Sequence, residues 1–328
     1  MSRFLVVHTD ADIHPLGEAQ RDALSQVGAD LVLFRSTPDQ FAAAAQDADA
    51  ILNADFELTD KLIASLRRCR VIARLGTGVD NIAVEAATAR GIAVANVPEF
   101  CTEEVANRAW TLLLACAAQL LRQDRSVRDG RWRALDGAYA LQIEGRTLGL
   151  VGFGKIARAV ARRAGAFGVH VVAYDPLVMP QAFEAEGVKP VDLDTLLRAA
   201  DFISLHVPLT RETVHLLDEK RLSLMKPTAI LINTARGALI DEFALEVRLR
   251  EGRLAGAGLD VLEGEPPEPE NPLLASDRVI LTPHTAAMTV AAYERVRKAA
   301  VDAVVQVLRG ERPLHLVNPE VMERRKGK

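Results

Sequence analysis

"TLGLVGFGKIARAVARRAGAFGVHVVAYDP", Thr147 to Pro176, is the stretch that decides the fold. Its first apolar run, Leu148 to Val151, reads as a strand. Gly152-Phe153-Gly154-Lys155-Ile156-Ala157 follows, then a helical pattern, then a second apolar run that ends in Asp175. This is G-x-G-x-x-A in the strand–turn–helix–strand setting that the motif requires. Gly152 permits the tight turn, Gly154 lets the backbone approach a pyrophosphate, and Ala157 is small enough for the helix to pack closely on the strand. The free N–H groups of the helix's first turn then face the phosphates. Asp175, at the end of the second strand, can accept hydrogen bonds from both hydroxyls of a ribose. It would repel an extra 2′-phosphate, and no arginine comes directly after Pro176. The stretch implies a βαβ unit that takes NAD rather than NADP.

The same alternation runs through the whole chain. "FLVVH", "DLVLF", "AIL", "VIARL" and "IAVAN" are strand candidates before residue 100, and "FISLH", "AILIN", "AGAGLDV" and "RVILT" come after the dinucleotide stretch. Continuous Val/Ile/Leu runs of this kind suit parallel strands buried on both faces. Helical patterns between them predict an α/β protein of doubly wound parallel sheets. The length of 328 residues exceeds one ordinary core, so two domains are expected, divided near "NVPEF", where Pro98 ends the first set. A long helical pattern is predicted from Thr102 to about Arg128, with Glu103 and Glu104 at its N-terminus. Another runs from Val290 to Leu308 and stops at Gly310.

Composition excludes several function classes. A net charge of −4 gives no electrostatic case for nucleic acid, and the basic end, Arg324-Arg325-Lys326 with Lys328, reads as a solvated tail. Three scattered cysteines, Cys69, Cys101 and Cys116, form neither a disulfide framework nor a metal-ligand spacing. No metal is expected. The chain opens directly on a short strand, and its longest apolar stretch, "AWTLLLACAAQLL", is too short to span a bilayer. A cytoplasmic protein with no membrane partner is the expectation.

Three later strand ends carry reactive groups. "AILINTARG" ends in Arg236, "AGAGLDVLEGEP" holds Asp260 and Glu265, and "VILTPHTA" ends in His284. In a parallel sheet all of these are C-terminal ends, the edge at which ligands of doubly wound folds bind. Taken singly, each has a plain alternative: a surface ion pair for Arg236, a solvated loop charge for Glu265, a hydrogen-bonded loop histidine for His284. Their placement at successive strand ends favours a shared site beside the nicotinamide.

With those segments in view, the chain resembles the D-isomer-specific 2-hydroxyacid dehydrogenases over essentially its full length. The matching stretches are "LGTGVDNI", "NVPEFCTEEVANRAWTLLLA", the dinucleotide stretch, "DFISLHVPLT", "LINTARGALID", "GAGLDVLEGEPP" and "LTPHTA". The resemblance implies a Rossmann NAD domain, residues 99–287, and a flavodoxin-like substrate domain made from both chain ends, 1–98 and 288–328. It implies a homodimer, with the Thr102 helix region and "GRWRALDGAY" at the interface. It also implies roles for individual residues. Arg236 would bind the substrate's carboxylate and carbonyl, His284 would be the acid/base, and Glu265 would orient that histidine. Thr77, Gly78 and Val79 would meet the substrate carboxylate, and Thr77 would also face the cofactor. Lys155 and Ile156 would line the pyrophosphate turn with Gly152 and Gly154. Val207 and Pro208 would lie on the adenosine side, and Thr234, Ala235 and Asp260 near the nicotinamide.

The expected reaction is hydride transfer between NAD and C2 of a small 2-hydroxy or 2-oxo acid. "GTGVDN" and "GRTLGLVGFGKIA" look close to the phosphoglycerate dehydrogenase and C-terminal-binding-protein-like branch. Two departures stand out. The phosphoglycerate enzymes carry basic residues in the loop corresponding to "NADFELTD", whereas this chain has Asp55 and Glu57 there. The corepressor-like members carry a tryptophan shortly after the histidine, whereas this chain has Ala287-Met288. A 3-phosphoglycerate dehydrogenase and an NAD(H)-sensing, corepressor-like binding protein with little turnover are the alternatives.

Overall fold

The computed structural model describes residues 4–34, 38–132 and 140–322. Most of "GRWRALDGAY" and the basic end therefore lie outside the described residues. The chain divides into two compact units, Met1–Cys101 with Thr289–Lys328, and Thr102–Met288.

The first unit holds β1 (Phe4–His8), β2 (Ala29–Leu33), β3 (Ala50–Asn53), β4 (Val71–Arg74) and β5 (Ala93–Ala95). They form one parallel sheet in the order β2-β1-β3-β4-β5, the flavodoxin-like arrangement. Successive side chains point to opposite faces, so each apolar run supplies two cores at once. Val6, Ala50, Leu52, Val71 and Ala73 fill one core, while Val7, Ile51 and Ile72 fill the other. The last helix, Val290–Leu308, closes the first of these cores with Val296, Ala300, Val301, Val304 and Val307. Thr289 caps that helix by accepting the Ala292 N–H at 3.1 Å.

The second unit holds β6 (Thr147–Val151), β7 (His170–Tyr174), β8 (Lys189–Pro190), β9 (Phe202–Leu205), β10 (Ile230–Asn233), β11 (Gly256–Leu259) and β12 (Val279–Leu281). All are parallel, in the order β12-β11-β10-β9-β6-β7-β8. This is the Rossmann order extended by one strand, with its switch point between β6 and β9. Ile230 and Ile232 face one core and Leu231 the other. The two-residue edge strand β8 has no apolar run and contains a proline, so the sequence carries no strand signal there.

The helical pattern predicted from Thr102 to about Arg128 is two helices, Thr102–Ala117 and Leu120–Arg128. Gln119 breaks it by adopting a left-handed φ of 51°. Burial changes at the same point. Ala109, Trp110, Leu112, Leu113 and Ala117 are buried in the first helix, whereas Leu120, Leu121 and Val127 are exposed in the second. Among the described residues no helix is long and apolar enough to cross a membrane.

Candidate active site

The glycine turn lies at the switch point. Gly152 has φ +94°, and a Cβ on it would sit 2.7 Å from the carbonyl carbon and oxygen of His206 and 2.9 Å from the Val207 nitrogen. Any side chain would therefore collide with the backbone leaving β9, so glycine is required on both conformational and steric grounds. Gly154 is the opposite case, with nothing within 4 Å of where its Cβ would be. It precedes the helix Lys155–Ala164, whose first turn receives no side-chain cap from it. Open space over uncapped N–H groups is what a pyrophosphate needs. Ala157 is fully buried against the strand.

Asp175 closes the turn. Its carboxylate accepts the Phe153 N–H at 2.8 Å and the Leu177 N–H at 2.9 Å, so the acid is aimed before any ligand arrives. Lys155 and Pro208 are exposed, and Ile156 and Val207 half-buried. Thr234 is buried, and its hydroxyl has no hydrogen-bond partner. An orphaned hydroxyl at the end of β10, the open glycine turn and the held acid together fit a dinucleotide laid along this sheet edge.

Arg236, Glu265 and His284 follow β10, β11 and β12, which are neighbours in the sheet. Asn233, fully buried at the end of β10, pins the Arg236 turn. It donates to the Arg236 carbonyl at 2.7 Å and accepts the Ala235 N–H at 3.0 Å. His284 has φ 51°, a left-handed conformation that costs a residue with a Cβ roughly 1–2 kcal/mol. Two carbonyls hold it there: its N–H donates to Asp260 at 2.7 Å and bends toward Thr282 at 3.0 Å. The Asp260 carboxylate, 1% exposed, accepts the Thr282 hydroxyl, the Thr285 N–H at 3.0 Å and the Ala286 N–H at 2.7 Å. Asp260 thus anchors the histidine loop, a role with no sequence signal beyond an acid at a strand end.

The His284 ring donates from Nδ1 to Glu265 Oε2 at 2.7 Å, and the other oxygen, Oε1, accepts the Leu262 N–H at 2.9 Å. The hydrogen bond to Glu265 raises the His284 pKa above its ordinary value against the opposing effect of burial; the Glu265 and Asp260 charges assist and the Arg236 charge opposes. Burial pushes the Glu265 carboxyl up, but its bonds to His284 and Leu262 and the nearby charges outweigh this and hold it below its ordinary value. Arg236 acts electrostatically on both groups, so the three form one charged cluster. With Nδ1 committed to the carboxylate, Nε2 is the atom left to exchange a proton with a ligand.

Thr77, Gly78 and Val79 belong to the first unit. Their loop is fastened by the Thr77 hydroxyl donating to the Val97 carbonyl at 3.0 Å and by Asn96 donating to the Thr77 carbonyl at 2.7 Å. Sequence reasoning missed Asn233, and it also missed Gly237. A Cβ on Gly237 would lie 1.9 Å from the Leu262 carbonyl carbon, so the Arg236 turn and the Glu265 loop touch backbone to backbone. The glycine after Arg236 was the one available signal.

A glycine turn that fits a pyrophosphate, with an acid–base pair and an arginine at the neighbouring strand ends, defines a dinucleotide-dependent dehydrogenase. Comparison with known proteins gives the family. Residues 110–286 match the NAD-binding domain of the D-isomer specific 2-hydroxyacid dehydrogenases. The glyoxylate reductase of Korarchaeum cryptofilum is 43% identical over 286 residues, 85% of this chain and 85% of that protein. The D-3-phosphoglycerate dehydrogenase of Methanocaldococcus jannaschii is 39% identical over 319 residues, 96% of this chain and 60% of that protein. A crystal structure of Aquifex aeolicus D-lactate dehydrogenase complexed with NAD and lactic acid superposes with a TM-score of 0.85 at 29% identity, covering 95% of this chain and 99% of that one. The chain belongs to the D-isomer specific 2-hydroxyacid dehydrogenase family. It is an NAD-dependent oxidoreductase of 2-hydroxy and 2-oxo acids.

Proposed function

We propose that the chain reduces a small, unphosphorylated 2-oxo acid of the glyoxylate type to its 2-hydroxy acid, with His284 as the proton donor. The observation that carries this is the 2.7 Å bond between His284 Nδ1 and Glu265, which leaves Nε2 to protonate the forming alkoxide. NAD supplies the hydride in its reduced form and accepts it in its oxidised form. Glu265 keeps the ring oriented and favours its charged state. General acid help of this type is worth about 10²–10⁴-fold. The planar fork of Arg236 suits the carboxylate and carbonyl of a 2-oxo acid. The resemblance assigns the substrate carboxylate also to the Thr77–Gly78–Val79 loop.

The choice of substrate rests on two supports. The glyoxylate reductase of Korarchaeum cryptofilum matches most of both chains. Asp55 and Glu57 are exposed on the loop after β3, and residues 54–59 offer a phosphate no basic side chain, although Asp55 itself pairs with His14 and Arg74. A homodimer is part of this reading, supported by exposed Leu120, Leu121, Val127 and Trp132 in and just beyond the helix Leu120–Arg128. So is a cytoplasmic location, supported by three cysteines with no disulfide among the described residues. The test is NADH oxidation, followed by absorbance, with glyoxylate, hydroxypyruvate, pyruvate and 3-phosphohydroxypyruvate. Glyoxylate should give the highest kcat/KM. A preference for the phosphorylated acid, or no turnover with any of the four, would overturn the proposal.

A further inference from the structure

Glu242 opens the helix Glu242–Arg250, whose N-cap is Asp241, accepting the Ala244 N–H at 3.0 Å. With the cap supplied by Asp241, the Glu242 carboxylate is used elsewhere. Its Oε1 accepts the Glu263 N–H, and its Oε2 accepts the Asn271 side-chain amide at 3.1 Å. One carboxylate therefore ties down both ends of the segment from Glu263 to Asn271, in which Glu265 lies. Asn271 is itself fixed, because its Oδ1 accepts the Leu273 N–H at 3.0 Å and caps the short turn Pro272–Ala275. On the other flank His215, held at φ 47°, donates from Nε2 to Glu263 Oε1 at 2.9 Å. Inside the loop, Leu262 donates to Glu265 Oε1 at 2.9 Å.

We infer that Glu242 is a positioning residue for proton transfer: its two hydrogen bonds fix the loop that presents Glu265 to His284. This rests on the proposed role of His284 and Glu265. Bonds to an ionised carboxylate are among the stronger hydrogen bonds, and two of them define an orientation as well as a distance. An acid in a helix's first turn also stabilises the helix through its dipole. That ordinary role would change stability alone. The clamp predicts a change at His284, where Glu265, Asp260 and Arg236 are the charged groups that set the ring's protonation.

The test uses the full-length protein with Glu242→Ala and Asn271→Asp. The second variant keeps the acceptor that caps Pro272–Ala275, but it sets a carboxylate against Glu242 where an amide donated. A misplacement on the order of 1 Å can cost about 10²-fold in rate, so kcat with NADH and a 2-oxo acid should fall about tenfold to a hundredfold. NADH affinity, read by fluorescence, should stay within about twofold of wild type. The His284 ring titration, followed by NMR on the protein without substrate, should move to lower pH in Glu242→Ala, and by less in Asn271→Asp, because the added carboxylate itself favours the charged ring. In Glu242→Gln the amide oxygen still accepts from Glu263, while its NH₂ opposes the Asn271 NH₂, so an intermediate effect is expected. A His284 titration and kcat like wild type in Asn271→Asp would overturn the inference, whether or not Glu242→Ala folds. Because the ring titration needs no turnover, it tests the clamp even if every oxo acid proves a poor substrate. Absence of turnover in the wild-type protein would count against the proposed reaction alone.

Discussion

Replacing Gly237 with alanine gives the most direct measure of how closely the reactive groups are held. The added methyl carbon would lie 1.9 Å from the Leu262 carbonyl carbon, 2.1 Å from its oxygen and 2.3 Å from the Glu263 nitrogen. Ordinary contact begins near 3.4 Å, so the two segments must part by roughly 1.5 Å. All three atoms are backbone, and no change of rotamer relieves the overlap. Either the turn carrying Arg236 or the loop carrying Glu265 has to retreat, and each reactive residue is within three positions of the collision. A displacement on the order of 1 Å can cost about 10²-fold, equivalent to about 2.7 kcal/mol of transition-state stabilisation. Overpacking should also cost about 1–3 kcal/mol of stability. The expected result for Gly237→Ala is kcat/KM for the 2-oxo acid reduced about a hundredfold. The NADH dissociation constant should be nearly unchanged, because Gly152 and Asp175 follow β6 and β7, on the far side of β9 from β10. Steady-state NADH absorbance and a fluorescence titration read the two quantities separately. If the folded variant kept kcat/KM within threefold of wild type, the claim that this contact sets the site's geometry would be wrong.

Four further outcomes follow from the same structure. Asp175→Ala removes the repulsion toward a 2′-phosphate and two bonds that close the glycine turn, so NADH binding should weaken while NADPH binding weakens less or improves; tighter NADPH than NADH binding by the wild type would sink the reading of Asp175. His284→Ala should lower kcat by about 10²–10⁴-fold, and Glu265→Gln less; the double variant should be far milder than the product of the two, since both fail at one step, and independent multiplication would show that the pair does not act as a unit. With the charged His284 ring as the proposed donor in reduction, activity should be lost as pH rises through the raised His284 pKa, and Glu265→Gln should shift that alkaline limb to lower pH. His8, fully buried at the end of β1, has its pKa pushed by burial from 6.5 to about 4, so the unfolded chain binds a proton that the folded chain refuses between those values. Stability should therefore fall as pH drops from about 6.5 toward 4, a slope shared by His206, whose pKa burial also lowers to about 4, and His8→Leu should make it shallower in urea unfolding; an unchanged slope would show that His8 contributes nothing to it.

Most of the architecture was legible because parallel strands buried on both faces leave largely apolar runs, and eleven of the twelve strands among the described residues lie on stretches read as strand candidates. The exception, Lys189–Pro190, is held by its neighbour β7 rather than by its own composition. The break at Gln119 was not legible, because apolar periodicity continues through Leu120 and Leu121 although the burial does not. At the site, the strand-end positions of Arg236, Glu265 and His284 and a shared site for them could be read from the chain, but the role proposed for each depended on the family resemblance. The residues that hold them could not be read. Glu242 acts on a backbone N–H 21 positions away, and Asp260 on a loop 22 to 26 positions away. Contacts of that separation leave no local period. His284 is harder still, since its left-handed backbone is imposed by carbonyls of other residues and not by any preference of histidine.

The three side chains proposed to carry the reaction share one construction. Arg236 sits on a turn pinned by Asn233, His284 on a loop pinned by Asp260, and Glu265 on a loop pinned by Glu242. Asn233 and Asp260 end neighbouring strands, β10 and β11 leading out to them, and are almost wholly buried. Their lost hydration is compensated only while the loops accept or donate in the observed geometry, because an unmet buried amide or carboxylate costs about 1–3 kcal/mol or more. That penalty makes each loop's alternative positions expensive without any contact to substrate. It also accounts for how a residue can rest at φ 51° at His284, since the strain of roughly 1–2 kcal/mol is smaller than the cost of freeing Asp260. Rigid strands therefore set where the loops begin, and buried polar anchors set where they point. Substitutions at the anchors should consequently disturb turnover beyond what lost stability alone would give, whereas apolar substitutions of equal destabilisation deep in the sheet should lower stability with kcat of the folded fraction preserved. Paired measurements of urea unfolding and kcat on Asn233→Ala and Ile203→Val separate the two, and equal loss of kcat per unit of lost stability in both would show that the anchors act through folding alone.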